Sequence, residues 1–392
     1  MARTEGASRT ASGLSAPRVE TAAAVGLPPC RKLDGCHGAP KVLALTRYGR
    51  QGASSRLRFY QLVPGLATAG ISIEIIPLLG DAYVRSLHAT GRRPAGQVLA
   101  GYAARLARLA HGLPDLLWVE NELLPWLPGW LERLLLSRAL RVIVDYDDAT
   151  FHRYDNHGCR LVRSALGGKV ARIMAAADAV IAGNEYIAAY ARQSGARRVL
   201  VQPTVIDPLH YPVRLGEPPP PFRVVWIGSP LTSAYLEMVR EPLQRLDSDG
   251  PLDILLIGAA KSALTGLPVR HYDWSEAGEA AAIAEGSVGI MPLLDGPWER
   301  GKCGYKLIQY MACGLPVVAS PVGGNVQLVE PYRNGLLAAT SDDWYSALEM
   351  LRREPARGQQ LGLAGREKIL ARYTTDSAIA RLTNLFTEIA GE

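Results

Sequence analysis

From Lys41 onward the chain alternates short runs of β-branched and aliphatic residues with longer stretches whose apolar positions recur every three or four residues. Runs at 41–45, 71–77, 116–120, 141–145, 179–182 and 198–202 predict strands. Between them, a stretch that opens at Ser54 or Ser55 and stops at Gly70, and others at 94–111, 128–138, 160–176 and 185–194, predict helices. Strand and helix in strict alternation predict a mostly parallel sheet, because a parallel pair needs a crossover long enough to hold a helix.

The rhythm breaks at 203–221, where Pro203, Pro208, Pro212 and the run Pro218 to Pro221 read as a stiff connector. A second series follows, with strands at 222–227, 252–257, near Val269, 288–291 and 317–320 and helices at 233–246, 276–284 and 304–312. Helices at 342–353, 355–372 and 374–390 close the chain. The expected fold is α/β, two tandem Rossmann-like doubly wound domains facing each other across a cleft. The N-terminal domain is expected to take residues 41–205 with the closing helix 374–390 crossing back onto it, and the C-terminal domain 206–373. Ligands of such sheets sit beyond the carboxyl ends of the strands, so the cleft is the expected site.

Composition narrows the partners. A single core stops growing near ~250–300 residues, so 392 residues accommodate two. The balance of 43 basic and 37 acidic residues, +6 in all, favours anions without the excess that nucleic acid demands, and no nucleic-acid partner is expected. Cys30, Cys36, Cys159, Cys303 and Cys313 show no metal-ligand spacing, which fits a reduced, cytoplasmic setting. Residues 1–39 mix small, polar and basic residues without an apolar block and predict a disordered leader. No run approaches the ~18 apolar residues of a spanning helix. Membrane contact is then peripheral, at the inner face, and the segment around Trp126, Trp130 and Arg133, with Arg138 and Arg141, offers it; packing of both indoles on the first sheet is the alternative.

The segment 299–325 carries the most chemistry. Gly301 and Gly304 loosen the backbone where the 304–312 helix begins, so unpaired N–H groups and the positive end of the dipole can meet an anion. Lys302 and Lys306 are four apart, a spacing that predicts both ammonium groups on one face with Gln309 a turn further. Gly323, Gly324 and Asn325 form a second turn expected to line a diphosphate. A solvated basic face on an ordinary helix is the plainer reading of the two lysines. In the first half, Gly49 and Gly52 follow the first strand beside Arg47, Arg56 and Arg58, arginines placed to reach phosphates across the cleft or simply exposed at a helix start. No G-x-G-x-x-G fingerprint is present, which argues against a dinucleotide oxidoreductase. Asp145, Asp147 and Asp148 end a strand; Asp147 or Asp148 is expected to contact acceptor hydroxyls or the reacting sugar, or to cap the next helix, and Glu120 and Glu122 end another.

The run from Trp298 through Gly301-Lys302-Cys303-Gly304-Tyr305-Lys306, Gln309 and Met311-Ala312-Cys313-Gly314 to Gly323-Gly324 resembles the donor-binding segment of retaining family 4 (group 1) glycosyltransferases. Ala182-Gly183-Asn184-Glu185-Tyr186, Pro203-Thr204-Val205-Ile206-Asp207 and Asn334-Gly335-Leu336-Leu337 extend the resemblance, which spans about residues 41–390 in the family's order. It implies a GT-B fold. It also implies a nucleoside-diphosphate-sugar donor held by the second domain at Gly228, Ser229, Gly301, Gly304, Gln309, Gly323, Gly324 and Asn325, with Arg56 reaching across. The acceptor is a saccharide, lipid-linked or small-molecule hydroxyl, and transfer proceeds with retention, without a cofactor and usually without a metal. Gly301 and Gln309 stand where the family places two glutamates eight apart, Gln327 stands for a third, and the usual Arg and Lys near Gly228 are absent. Lys302 and Lys306 are expected to replace those cations, with Glu299 and Asp147 completing the catalytic set. Nucleotide-sugar epimerase of the same architecture and a non-catalytic sugar-nucleotide-binding subunit are the alternatives.

Overall fold

The computed structural model describes residues 40–391, apart from Arg92, Leu113, Arg214, Leu215 and Glu217. The leader expected at 1–39 lies outside the described residues.

Six strands, β1 (Lys41–Tyr48), β2 (Ser72–Leu79), β3 (Leu116–Glu120), β4 (Arg141–Tyr146), β5 (Ala179–Ala182) and β6 (Val199–Val201), form one sheet in the order β2-β1-β3-β4-β5-β6. Six more, β7 (Phe222–Ile227), β8 (Leu252–Ile257), β9 (Val269–Tyr272), β10 (Val288–Met291), β11 (Val317–Ala319) and β12 (Leu336–Leu337), form a second in the order β12-β11-β10-β7-β8-β9. Every ladder is parallel. Helices cover both faces of each sheet, which is why the central strands read as unbroken apolar runs. In β1, for example, Leu43 and Leu45 enter one core, while Val42 and Ala44 enter the other with Trp118.

The closing helix Thr375–Gly391 belongs to the first sheet's core. Ala378, Leu382, Leu385 and Ile389, spaced four, three and four, are buried there, and Phe386 meets the Trp118 ring edge-on at 5.1 Å. The two passages between the sheets run side by side, with the Ile206 amide donating to Tyr373 O at 3.0 Å and the Thr375 amide to Ile206 O at 2.9 Å.

Three expected helices are broken, the one at 233–246 dividing into a 3-10 stretch Pro230–Val239 and a helix Arg240–Asp249. The stretch after β1 divides into Ala53–Ser55, a wide π turn Arg56–Tyr60 and a helix Val63–Thr68. Pro64 has no N–H to continue the earlier turn and instead opens the later helix. Gly167 and Gly168 divide Arg160–Leu166 from Lys169–Ala176. A helix at Asp81–Thr90 had no clear apolar period in the sequence.

One ionic cluster lies wholly inside the first lobe. Lys169 Nζ is 2.7 Å from Glu122 Oε2 and 3.0 Å from Glu132 Oε2, and it donates to Leu124 O at 2.7 Å; all three side chains are fully buried. Tyr154 adds its hydroxyl to Glu122 at 2.8 Å. The fixed backbone between β3 and the Gly129–Leu136 helix hangs on these bonds.

Candidate active site between two sheets

In the first sheet the strand order reverses between β1 and β3, in the second between β7 and β10. Loops diverge from the carboxyl ends at such points and leave a crevice. The two sets of carboxyl ends face each other. Asp148, after β4, accepts from Lys302 Nζ at 3.0 and 3.1 Å; Asn184, after β5, donates through Nδ2 to Lys302 O at 3.0 Å; Arg50, after β1, reaches Glu276, after β9, at 3.1 Å.

The segment after β10 fills the crevice. A short helix Pro297–Arg300 leads to Gly301 and then to the helix Tyr305–Ala312, whose N-cap Gly304 has φ +72°, a conformation that disfavours any side chain. Lys302 therefore precedes the helix and does not share a helical face with Lys306 as its spacing suggested; its ammonium turns instead to the first lobe. Burial lowers the Lys302 pKa, but Asp148 and then Asp147 outweigh it and hold the pKa above lysine's ordinary value. Lys306 stands in the helix's first turn, its Nζ 5.2 Å from the Trp226 ring, against whose far edge the Gly228 backbone is pressed. Among the described residues no hydrogen bond or ion pair reaches that ammonium. Burial, with Lys302 adding repulsion, pushes its pKa down to about 8.

The loop amides differ from expectation. Gly301 N donates to Trp298 O at 3.1 Å and Lys302 N to Glu299 O at 2.9 Å, so neither is free for a phosphate. What remains is the start of the 305–312 helix, whose first amides lack intrahelical acceptors. Gly324 N is bonded to Lys302 O at 2.9 Å and Asn325 Nδ2 to Ser320 O at 3.0 Å, so the second glycine turn braces the first. Gly228 N donates to Ile257 O, and Ser229 caps the helical segment Pro230–Val239.

Gly301 also sets how closely the lobes meet: a Cβ there would lie 2.4 Å from Ala149 Cβ and 2.7 Å from Ala149 N. Gly301→Ala is expected to cut turnover by up to about 100-fold by shifting the 301–304 segment, with little change in melting temperature. Unchanged turnover in that variant would show that the approach at Ala149 is dispensable.

Arg56 and Arg58 are not exposed. The π turn directs Arg58 inward, where Nε is 2.6 Å from Asp145 Oδ1 and a terminal nitrogen donates to Gln202 O at 2.9 Å. Arg56, 5% exposed, lies 4.9 Å from the Trp274 ring and 3.8 Å from Glu276, spanning the crevice toward the second lobe. Two buried carboxyls and the half-buried Asp147 gather beneath. Burial raises Asp145 to about 6 against the pull of Arg58; burial and Asp147 raise Glu120 to about 7; burial and Asp148 raise Asp147. Glu120 accepts from Ser55 Oγ at 2.6 Å and from the Arg47 amide at 2.8 Å. Glu299 accepts from the Tyr235 hydroxyl at 2.5 Å, which turns it back onto the second lobe.

Gln309 is buried, and its amide nitrogen donates to Glu279 Oε1 at 2.9 Å and to the Tyr211 hydroxyl at 3.1 Å. Glu279 also accepts from the Trp274 indole at 2.6 Å, and burial raises its pKa. A carboxylate thus lies beside Gln309, donated by the neighbouring Glu279–Ala284 helix. Sequence reasoning missed Glu279, Tyr211 and Tyr235, which lie 30 to 98 positions from Gln309 and Glu299, and Trp274, which joins Glu279 to Arg56 of the first lobe. Asn184 was visible in part: its side chain accepts from Ile187 N as a helix N-cap, a role its place before the 185–193 helix signals. Beyond Asn184 a cavity of about 270 Å³ separates Tyr186 from Arg300, Gly323 and Gln327.

Two doubly wound parallel sheets with opposed carboxyl ends and a crevice between them constitute a GT-B fold. In the second lobe, residues 222–353 match the family model described as glycosyl transferases group 1. A search of curated proteins gave no match. Among solved structures, sucrose-phosphate synthase from Thermosynechococcus elongatus is 17% identical with a TM-score of 0.65, covering 90% of this chain and 99% of that one. Anabaena HepE in complex with UDP-glucose is 15% identical with a TM-score of 0.63, covering 89% and 100%. The lipopolysaccharide outer core galactosyltransferase WaaB is 13% identical with a TM-score of 0.61, covering 89% and 99%.

Proposed function

We propose that the protein transfers a sugar from a nucleoside-diphosphate-sugar to a hydroxyl acceptor, with retention at the anomeric carbon and without a metal ion, in the synthesis of a glycan, polysaccharide or glycolipid. The observation that carries this reading is the Lys306 ammonium, held over the Trp226 ring beside the Gly228 turn at the sheet's switch point, with no hydrogen-bond or ion-pair partner among the described residues. The group 1 match over 222–353 and the likeness to a fold solved with UDP-glucose support it.

Breaking the anomeric bond builds charge on the departing diphosphate. Fixed cations aimed there stabilise that charge more than they stabilise the bound donor. Lys306 and the first amides of its helix supply this directly. Lys302 supplies it once a phosphate competes with Asp148. The ribose diol pairs with the Glu279 carboxylate and Gln309, and Arg56 closes over the nucleotide from the first lobe. Asp147, its pKa raised, takes a hydrogen bond from or donates one to the acceptor or the reacting sugar, while Glu299, oriented by Tyr235, holds sugar hydroxyls. The acceptor hydroxyl attacks from the leaving-group face and gives its proton to the departing phosphate, so no protein nucleophile is needed.

The purified chain, given a panel of nucleotide sugars with and without saccharide or lipid-linked acceptors, is expected to release nucleoside diphosphate only when acceptor is present. A chelator is expected to leave that rate unchanged. Isomerised sugar without acceptor would mark an epimerase, and a donor-induced rise in melting temperature with no turnover a binding subunit; either outcome overturns the assignment.

A further inference from the structure

We infer that the outer face of the Gly129–Leu136 helix, together with the start of the Arg160–Leu166 helix, docks on an anionic lipid surface. The inner face of the first helix is spent on the core: Glu132 meets Lys169, Leu136 is buried, and Leu131 and Leu135 pack against the same cluster. The outer face is apolar where solvent would favour charge. Trp130 is 68% exposed and Leu134, one turn on, 58%. Just before the helix Trp126 is 43% exposed, its ring edge-on to His157 at 5.9 Å, and four residues beyond His157 stands Leu161, 80% exposed. The two helices are thereby neighbours on one side of the lobe, both flanking Lys169–Ala176, against which the Gly129 backbone rests.

Charge selects the occupant. From Trp126 to Arg138 the one acidic residue is Glu132, which points inward, and from Asn156 to Ala177 there is none. Arg133, Arg138 and Arg160 are exposed around the apolar residues. A patch with indoles, leucines and only positive free charge complements a headgroup layer of negative charge, where aromatic rings settle at the interface and each arginine adds about a fivefold gain in partition. No helix among the described residues is long and apolar enough to cross a bilayer, so the contact is interfacial. A second copy of the chain would bring the same positive charge to the contact, which disfavours self-association through this face. The inference stands apart from the catalytic reading, since vesicle binding requires no donor.

The test is co-sedimentation of the full chain with vesicles of phosphatidylcholine alone or of phosphatidylcholine mixed with phosphatidylglycerol. Binding to the mixed vesicles only, weakened by salt, is expected. Arg133→Gln with Arg138→Gln is expected to lower that binding about 25-fold, and Trp130→Ser with Leu134→Ser by about tenfold or more, each with an unchanged melting temperature. Equal partition to both vesicle types, no partition, or variants that bind like the parent would overturn it. So would a solution dimer, seen by light scattering, that the Trp130→Ser and Leu134→Ser pair dissolves.

Discussion

Lys306→Ala is expected to reduce turnover by about 100- to 1,000-fold, the scale on which a single fixed donor to a developing oxyanion acts. The protein carries this ammonium at a cost. Its native pKa of about 8 lies below the ordinary 10.5, so between those values the unfolded chain binds more protons than the native one, and stability rises with pH across that window. At neutral pH the charged form is therefore held against the preference of its surroundings, as a group kept for an incoming anion would be. Three results follow. Lys306→Met melts at or above the parent temperature at pH 7 while losing activity. In the parent, kcat/KM falls as pH rises through about 8, where the free site loses its charge. Lys306→Arg removes that alkaline limb, because guanidinium stays charged. Parent-like turnover in Lys306→Ala, or an alkaline limb that survives in Lys306→Arg, would detach this residue from the leaving group.

Lys169→Met is expected to destabilise the first lobe by about 3–5 kcal/mol, since removing one partner of a buried ionic cluster leaves the other charges uncompensated. Glu122 and Glu132 would then face each other at zero exposure, with only Tyr154 and the Leu123 amide to satisfy them. Burial already raises the Glu132 pKa in the presence of the lysine. A midpoint drop of roughly 10 °C is the measurable form. Adding Glu122→Gln and Glu132→Gln to Lys169→Met is expected to recover more than half of the loss, because the neutral set no longer holds unpaired charge. A single variant that costs under about 1 kcal/mol would show that water or a rearranged backbone takes over the lysine's bonds.

Some of this was open to reading in the chain itself. The bounds of β3, β5, β7, β8 and β10 coincide with apolar runs because strands buried on both faces have no polar alternation to blur their ends. The closing helix, expected at 374–390, forms at Thr375–Gly391. What failed were places where a distant partner outweighed local preference. The π turn at Arg56–Tyr60 exists because Asp145 and Gln202 O, 87 and 144 positions away, hold Arg58 inside. Lys302 left the helical face its spacing implied because Gly304 ended the helix before reaching it and Asp148 lay opposite.

The sequence by itself determined two parallel sheets, the glycine-loosened segment before the 305–312 helix and the two lysines near it, since period, punctuation and charge are local properties. Only the tertiary structure decided that Lys302 is paired to Asp148 while no hydrogen bond or ion pair among the described residues reaches Lys306, that Gly301 packs on Ala149 with its amide bonded to Trp298 O, and that Glu279 stands beside Gln309. Those outcomes depend on distances between strand ends far apart in the chain, and local pattern carries no information about such distances.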